Sequence, residues 1–413
     1  MDLSQRPKLR PVEAFPVEHQ GRKLLCLRDP VGLAEQPMLV SVGASFVLAY
    51  FDGEHSLLDI QYEYTRRWGE ILPSEKLREL IGALDEAYFL ESPRFAARLE
   101  QVREDFRAAS SRPAAHAGLC YAEQPEPLRA ELQGYFKAPD GPGYPPAAAL
   151  DEAPAAGLIA PHIDPRRGGI AYAHGYAQLA ARQMPELFVI LGTAHCGGGP
   201  ELFAATAKDY STPLGTVKTD RGFVERLAAR YRAGDLLADE LLHRNEHSIE
   251  FQSLFLAWAF GTQGYQIVPI LVSSFHDLVE SLTTPARDER VGAFIEALRE
   301  EIDAQPRRVC IIAGVDFAHI GKKFGDSHGA GPEVLQWVER EDREMIGSIE
   351  RSDPEGFFAH VAKDRDRRRI CGLAPMYTQL ELLRGRKGRL LKYDIAAEPA
   401  TESAVSFASM VIE

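Results

Sequence analysis

The spacing of apolar and polar residues divides the chain into two parts. In the first part, short apolar segments at Leu24–Leu27 and Met38–Val40 precede stretches in which apolar residues recur every three or four positions. Such stretches at Ala44–Phe51, after Ser56 and after Ser74 are typical of amphipathic helices, and serine is a favoured N-cap. Residues 1–105 are therefore predicted to form a small α+β domain.

Residues 106–156 lack this regular spacing. Ala, Ser and Pro dominate Arg107–Pro127, whereas Pro, Gly and Ala dominate Pro139–Gly157. Between these two stretches, Leu128–Phe136 has the pattern of one short helix. These residues are predicted to be a linker that contains a short helix.

From residue 157 to residue 413, short apolar runs alternate with helical patterns. Strands are predicted at Gly157–Ala160, Leu187–Gly192, Gln266–Val272 and Val309–Gly314. Helices are predicted at Gly169–Arg182, Gly222–Tyr231, His247–Phe260, Arg290–Ala304, Glu333–Ile349 and Pro354–Ala362. Further β segments are predicted at Leu202–Ala205, Gly215–Lys218, Arg389–Ile395 and Ser403–Ile412, the last two paired. The alternation predicts an α/β domain with a mainly parallel sheet flanked by helices.

Histidine or aspartate follows three of the predicted strands directly. His162 follows the first strand, His195 follows the second, and Asp316 and His319 follow the strand that ends at Gly314. Ligands of open α/β sheets bind at the carboxyl ends of the strands. A single histidine after a strand is usually structural, but three strands that each end in histidine or aspartate at one sheet edge predict a functional site.

Two further segments are rich in polar chemistry. Asn245 or Glu246 is predicted to open a helix on which His247 and Glu250 share a face. The alternative is a solvated helix N-terminus, where acidic residues are favoured. Cys371 lies in a tight loop before another helix, a position that favours a thiolate, although a small buried cysteine is the alternative.

Two imidazoles with a thiolate or carboxylate suit a transition metal. Iron, copper and zinc all accept imidazole, and a thiolate favours softer metals. Three protein ligands leave coordination positions open for a substrate, as catalytic sites require. The chain has no GxSxG, P-loop or dinucleotide-binding motif that would indicate other chemistry.

Composition and charge narrow the classes of partner. The formal net charge of −13 argues against nucleic acid and against an anionic membrane surface. No apolar run reaches the roughly 18–20 residues of a membrane span, and the N-terminus lacks the apolar region of a signal peptide. Five scattered cysteines do not indicate a disulfide framework, so the expected location is the cytoplasm.

Ordered motifs resemble the Memo family, also called AmmeMemoRadiSam system protein B. The motifs, between Gly157 and Gly372, are Gly157–His162, Phe188–His195, Tyr210–Gly215, Asn245–Glu250, Val268–Val272, Val315–His319 and Ile370–Gly372. Memo proteins are similar in fold to LigB-type class III extradiol dioxygenases. The resemblance implies metal ligands at His162, His195 and Cys371, with Asp316, His319 and His247 lining the same pocket. It also implies radical-SAM and AMMECR-type partner proteins.

The sequence departs from the usual family pattern at two places. Ile163–Gly169 replaces the usual Ala-Gly-Tyr, so that Asp164, Arg166 and Arg167 are expected to change the charge of the pocket rim. Cys196 stands where a second histidine is usual. In the dioxygenases the third metal ligand is a carboxylate, so the cysteine argues against ring cleavage.

The N-terminal domain resembles PqqD-like winged-helix domains that recognise peptides. Leu25–Pro30, Ser56–Ile60 and Leu84–Leu90 carry this resemblance. It implies a docking module for a peptide or a protein.

These patterns lead to three hypotheses of function. The first is a metal-dependent oxidoreductase, with iron the expected metal, in which His319 or His247 is the acid–base group and Asp316 orients a histidine or binds an unknown small molecule or peptide. The second is a non-catalytic metal- or peptide-binding interaction protein. The third is a zinc hydrolase, for which no glutamate base stands at a fixed helical spacing from the ligands.

Overall fold

The structure is a computed structural model that describes residues 6–34, 36–144, 152–196, 199 and 201–413. It divides into two compact units, which meet in the sequence between Ala108 and Ala109. Each unit is described by itself.

The N-terminal unit combines a small antiparallel sheet with helices. Its strands, in the order β1-β2-β3, are β1 (Glu13–His19), β2 (Arg22–Arg28) and β3 (Met38–Ser41). Its helices are α1 (Val42–Leu48), α2 (Leu57–Trp68), α3 (Ser74–Glu86) and α4 (Pro93–Ala108). Ser56 forms a capping box with Asp59 at the start of α2, as its sequence position predicts.

The sequence pattern missed β1 and α4 for one physical reason. β1 has mostly exposed residues, and α4 buries only Val102 and Phe106, so neither has a strong apolar period. The apolar period predicts elements that bury a face, and these two bury little.

The second unit contains a large mixed sheet, a small sheet and nine α-helices within its described residues. Its strands are β4 (Ser111–Arg112), β5 (Gly157–Ala160), β6 (Leu187–Thr193), β7 (Phe203–Ala205), β8 (Asp209–Thr212), β9 (Gly215–Val217), β10 (Gln266–Val272), β11 (Val309–Gly314), β12 (His319–Gly321), β13 (Gly388–Glu398) and β14 (Ser403–Ile412). Its helices are α5 (Pro125–Lys137), α6 (Pro165–Ala180), α7 (Arg221–Arg230), α8 (His247–Phe260), α9 (His276–Glu280), α10 (Glu289–Asp303), α11 (Pro332–Glu350), α12 (Pro354–Ala362) and α13 (Leu373–Leu382).

The large sheet has a parallel centre and antiparallel edges. Its order is β12-β14-β5-β11-β6-β10-β7, and β13 pairs with β14 outside this path. β5, β11, β6 and β10 run parallel, whereas β7, β12, β13 and β14 join antiparallel. The predicted α/β fold class is confirmed, with a sheet that is mixed rather than parallel throughout.

Helices cover both faces of this sheet, which explains the continuous apolar runs of its central strands. Along β6, Leu187, Val189 and Leu191 pack in one core with residues of α10 and α13. Phe188 and Ile190 pack in another core with residues of α6 and α8. A strand that is buried on both faces has no polar alternation, so its sequence reads as a solid apolar run.

Residues 109–144, which fall in the predicted linker, form β4 and α5 in the second unit. β4 pairs with β8 in the small sheet. α5 buries Leu128, Leu132 and Phe136 in the core that also contains α6. The predicted short helix is thus part of the second unit, and the polar, proline-rich sequence around it conceals this packing. Across the described residues, every helix is too short or too polar to cross a membrane.

Two glycines let α8 approach the ends of the central strands. A Cβ on Gly314, the last residue of β11, would lie 2.5 Å from the carbonyl oxygen of Ser248. A Cβ on Gly192 in β6 would lie 2.6 Å from Oγ of Ser248. The N-terminus of α8 therefore lies directly against the strand ends.

Candidate metal centre

His162 lies just after β5 and is fixed by the neighbouring strand β11. Its Nδ1 lies 3.0 Å from the carbonyl oxygen of Gly314, so Nδ1 must carry the proton and donate it. The backbone N–H groups of His162 and Ile163 donate to Oδ1 of Asp316 at 2.9 and 3.1 Å. These bonds leave Nε2 as the ring nitrogen that would coordinate a metal.

His195 lies after β6 and is oriented by Glu246. The backbone N–H of His195 donates to Oε2 of Glu246 at 3.0 Å, and Nδ1 donates to the same carboxylate at 3.0 and 3.1 Å. A carboxylate on the far nitrogen of a histidine fixes the tautomer and makes Nε2 a stronger ligand. His195 thus has the environment typical of a metal-binding histidine.

Glu246 is the N-cap of α8, which is one of the two residues predicted to open that helix. Its carboxylate accepts the backbone N–H groups of His247 and Ser248 at 2.8 and 3.0 Å. Burial acts to raise the pKa of Glu246, but the charges and hydrogen bonds of His195 and His247 outweigh burial and hold this pKa well below its usual value. Glu246 is therefore an anion that joins a helix start to a candidate ligand.

Cys371 lies in the loop between α12 and α13 and reaches the same site. Its Sγ is 3.2 Å from Nε2 of His162 and 3.6 Å from the carbonyl oxygen of Asp316. A Cβ on Gly372 would lie 2.6 Å from Cβ of Val315 and 2.7 Å from that same carbonyl oxygen. The glycine after the cysteine is thus required for the loop to approach β11.

The ligand atoms of His162, His195 and Cys371 all lie within 4.8 Å of one another. Ligands at about 2.0–2.3 Å from one ion are roughly 3–4 Å apart, so the three donors fit a single transition metal. His195, Glu246 and His247 form a second group of the same compactness. The oxygens of Glu246 are already engaged by three backbone N–H groups and the His195 ring, which makes the first group the better metal site.

Burial sets the charge of this site. It lowers the pKa of His162 well below its usual value, and it raises the pKa of Cys371 well above its usual value. Both groups are therefore neutral without a cation, and a bound metal would deprotonate the thiol.

Asp316 and His247 contact candidate ligands, whereas His319 is the one of the three predicted residues that lines the adjacent cavity. Asp316 is buried beside His162, with Oδ2 3.6 Å from Nε2, and burial raises its pKa to about 6. The ring of His247 stacks on the ring of His195, with centroids 4.6 Å apart. His319 has Nδ1 at 3.2 and 3.3 Å from the carbonyl oxygens of Phe317 and Arg369.

A buried ion pair holds α8 in place. Arg112 and Glu250 are both fully buried, and the guanidinium binds the carboxylate and the carbonyl oxygens of His243 and Glu246. Tyr121 and the backbone N–H groups of Ala115 and His116 donate to the same carboxylate. Glu250 therefore faces this segment, Arg112–Tyr121, and His247 lies between His116 of the segment and His195.

Sequence reasoning missed the segment Arg112–Tyr121 and the orienting role of Glu246. The ring of His116 lies 5.6 Å from the ring of His247, and its Nε2 contacts the carbonyl oxygen of Asn245 at 2.9 Å. Nothing local in a polar, alanine-rich stretch signals these distant contacts. For Glu246, an acidic N-cap directly before a histidine was the available signal.

A cavity of about 620 Å³ opens beside the candidate ligands. It is lined by His195, Cys371, Thr193, Ala194, Ser274, Phe275, His276, His319, Phe324, Arg365, Asp366, Arg367, Arg369, Ile370, Leu373 and Ala374. The predicted rim residues are placed elsewhere: Asp164 caps α6, whose first turn carries Arg166 and Arg167. The expectation that they form the rim of this cavity is wrong, because the side chains of Arg166 and Arg167 donate instead to the carbonyl oxygens of Leu119 and Ala396.

Fold and site together define a candidate metal protein of the α/β class. Two of its candidate ligands follow the carboxyl ends of parallel strands, and the third lies in a neighbouring loop. A family model described as Memo-like protein matches residues 112–411. A MEMO1 family protein of Aquifex aeolicus is 30% identical over 98% of this chain and 99% of its own length. The chain belongs to the Memo-like family.

Two other relatives differ in how much of the chain they match. A MEMO1 family protein of Thermus thermophilus is 29% identical over 86% of this chain and 99% of its own length. One from Methanopyrus kandleri is 31% identical over 71% of this chain and 96% of its own length. The latter relative is shorter than this chain, and the family model begins after Ala108.

Proposed function

We propose that this chain is a metal-dependent oxidoreductase whose metal is bound by His162, His195 and Cys371. The observation that carries the proposal is the convergence of three donors within 4.8 Å of one another, beside a cavity. Iron is the metal we propose first, because two imidazoles with a third protein ligand and open positions resemble the iron site of the dioxygenases; copper and zinc, which also bind imidazole and thiolate, are the alternatives.

Such a metal would supply Lewis acidity and one-electron chemistry beside the cavity. His319 is the acid–base group that we propose. Because its Nδ1 faces two carbonyl oxygens, the neutral ring donates from Nδ1 and offers Nε2 to a substrate proton. Burial lowers the pKa of His319, which keeps the ring neutral and able to accept a proton near pH 7.

Asp316 and His247 have supporting roles in this proposal. Asp316 accepts the backbone N–H groups of His162 and Ile163, and thereby fixes the loop that carries the first ligand. His247 shares Glu246 with His195 and stacks on the His195 ring, which limits the rotation of that ring. Both residues are proposed to position metal ligands, while His319 exchanges protons with the substrate.

The metal content of full-length protein, purified without added metal or chelator, tests the proposal. We expect about one iron per chain in the wild type, and loss of that iron in His162→Ala, His195→Ala and Cys371→Ala. His276→Ala and Cys120→Ala are matched controls, which we expect to keep the metal. Stoichiometric zinc would contradict redox chemistry and favour hydrolysis, and wild-type iron in all three ligand variants would contradict the site.

A non-catalytic interaction protein is the second candidate, and one observation on the N-terminal unit favours it. α2 exposes Leu58 and Tyr62, one turn apart, at 74% and 66% of their surface. This exposure agrees with a PqqD-like docking module, for which a radical-SAM protein is the partner that the family resemblance implies. Binding of a purified radical-SAM protein that Leu58→Ser and Tyr62→Ser abolish, without any redox turnover by the metal-loaded chain, would favour this candidate.

A further inference from the structure

We infer that the cavity beside His195 and Cys371 binds a small organic anion, whose carboxylate or phosphate group is held by Arg365 and Arg367. This inference rests on the proposed function, because it names the class of substrate that the same site would take. The size of the cavity agrees with a small organic ligand, since about 620 Å³ falls within the range of small-molecule sites.

The charge of the lining is opposite to that of the chain. Arg365, Arg367 and Arg369 line the cavity, and Asp366 is the one acidic side chain among its described lining residues. The whole chain carries a net charge of −13. A cationic cleft in an anionic protein concentrates anions locally, so the cavity favours a ligand of negative charge.

The three arginines are held in different ways. Arg369 is committed to the protein, since its guanidinium binds Asp326 at 2.7 Å and the carbonyl oxygen of His319 at 3.2 Å. Arg365 lies 3.7 Å from Glu280, and its side chain is 73% exposed. Arg367 stacks on Trp337 at 5.1 Å, an arrangement that leaves the edge of the guanidinium for a bidentate ligand.

The backbone of this loop is strained and well anchored. Arg365, Asp366 and Arg369 have φ values of 57°, 51° and 52°, in the left-handed region that residues other than glycine rarely adopt. Arg368 anchors the loop through its buried ion pair with Asp342. Strain of this kind persists where the surroundings enforce it, often at ligand sites, and it places the arginines at the cavity before a ligand arrives.

The apolar residues that line the cavity indicate that the rest of the ligand is apolar. Phe275, Phe324, Ile370 and Leu373 line the same cavity as the arginines, His195 and Cys371. Apolar and aromatic walls with a few charged groups are typical of sites for small organic molecules. An aromatic acid or an aryl phosphate has this combination of an apolar body and an anionic group.

Calorimetric titration of full-length, metal-loaded protein tests the inference. The probes are benzoate, phenyl phosphate and the neutral analogue benzamide. Comparing benzoate with phenyl phosphate shows whether the site prefers a carboxylate or a phosphate, and benzamide measures the binding due to the apolar ring alone. We expect at least one anion to bind about tenfold or more tightly than benzamide, and to weaken as salt is added. Equal binding of benzamide, or no binding of any probe, would overturn the inference.

The double variant Arg365→Gln/Arg367→Gln distinguishes binding of the anion by the arginines from binding by the metal. We expect it to weaken anion binding by about tenfold or more, without a change in benzamide binding or in metal content. Arg386→Gln, an exposed arginine outside the cavity lining, is the matched control and should bind like the wild type. Wild-type affinity in the double variant, combined with lost affinity in metal-depleted protein, would place the anion on the metal and overturn the inference.

Failure of the inference and failure of the proposed function can be distinguished. Metal content and the ligand variants test the proposed function, whereas the arginine variants test the anion at constant metal content. An anion that binds through the arginines in protein purified with zinc, or with no metal, would support the inference and contradict the oxidoreductase.

Discussion

At the residue scale, Glu246 connects backbone geometry to metal affinity. One carboxylate accepts the backbone N–H groups of His195, His247 and Ser248, and also the Nδ1 proton of His195. It therefore caps the N-terminus of α8 and orients the candidate ligand His195 with the same two oxygens.

Glu246→Gln tests this connection. The amide keeps the size of the side chain, but its NH₂ group cannot accept the bonds that one carboxylate oxygen accepts now. We expect the metal dissociation constant to rise by roughly 10–100-fold, as for other residues that orient metal ligands. Competition with a chelator would measure this change, and Glu240→Gln is a control. Unchanged metal affinity would contradict the orienting role.

Asp366 gives a prediction of pH dependence. Burial raises its pKa to about 6, above the roughly 4 of an unfolded aspartate, so the folded state loses stability as pH rises from 4 to 6. Asp366→Asn keeps the acceptor for the backbone N–H of Ile370 and removes the charge. We expect the variant to be more stable than the wild type at pH 8, by up to about 2 kcal/mol.

Thermal unfolding between pH 3.5 and pH 8 would measure this difference. It should vanish below about pH 4, where the wild-type carboxyl is protonated in both states. A difference that is constant across the range would contradict the raised pKa.

The sequence predicts residues whose position follows from one element. His162 and His195 were predictable because each follows a buried strand, and buried strands are visible as apolar runs. Arg112 and His116 were not, because their contacts lie more than 120 positions away and their own segment has no period. Cys371 was a candidate because it lies in a tight loop before a helix, and the family resemblance implied its role as a metal ligand.

At the element scale, the site depends on close approach between the loop after α12 and the end of β11. Gly372→Ala would place a methyl group 2.6 Å from Cβ of Val315. We expect a loss of stability of about 1–3 kcal/mol, as for overpacked cores, together with weaker metal binding because Cys371 moves. Denaturant titration and metal content would measure the two effects.

Gly347→Ala is the matched control, because this glycine is inside α11 and only the far end of the Arg351 side chain comes near. Alanine in a helix interior is favoured over glycine, so we expect an unchanged or slightly higher stability. Equal behaviour of the two variants would contradict the required approach.

Elements with a buried face were predicted closely, whereas those without one were missed. α8, β10, β11 and α12 have the predicted bounds, because each carries a clear apolar period or run. β8 and β12 are short. β12 pairs with β14, more than 80 positions away, and β8 pairs with the distant β4 as well as with its neighbour β9. A period of a few residues cannot indicate such pairing.

At the scale of the whole molecule, the segment Arg112–Tyr121 sets where the second unit begins. Glu250 is fully buried, and its partners Arg112 and Tyr121 both lie before residue 157. Removing the partner of a buried charge costs about 3–5 kcal/mol. The second unit therefore needs residues that the sequence assigned to a linker.

Two truncations test this boundary. Residues 109–413 should fold and keep the metal content of the full chain, in agreement with the family match to 112–411. Residues 157–413 should unfold at much lower temperature or aggregate, because Glu250 loses its partners. Thermal unfolding of the two proteins measures this, and equal stability would contradict the role of the buried ion pair.

The most direct test of the metal site is X-ray absorption at the edge of the bound metal. For wild-type protein we predict one sulfur neighbour at about 2.3 Å and nitrogen neighbours of imidazole type at about 2.0–2.1 Å. In Cys371→Ser the sulfur neighbour should disappear while the imidazole signal remains. A wild-type spectrum without sulfur, or a sulfur neighbour that persists in Cys371→Ser, would contradict a metal bound by His162, His195 and Cys371.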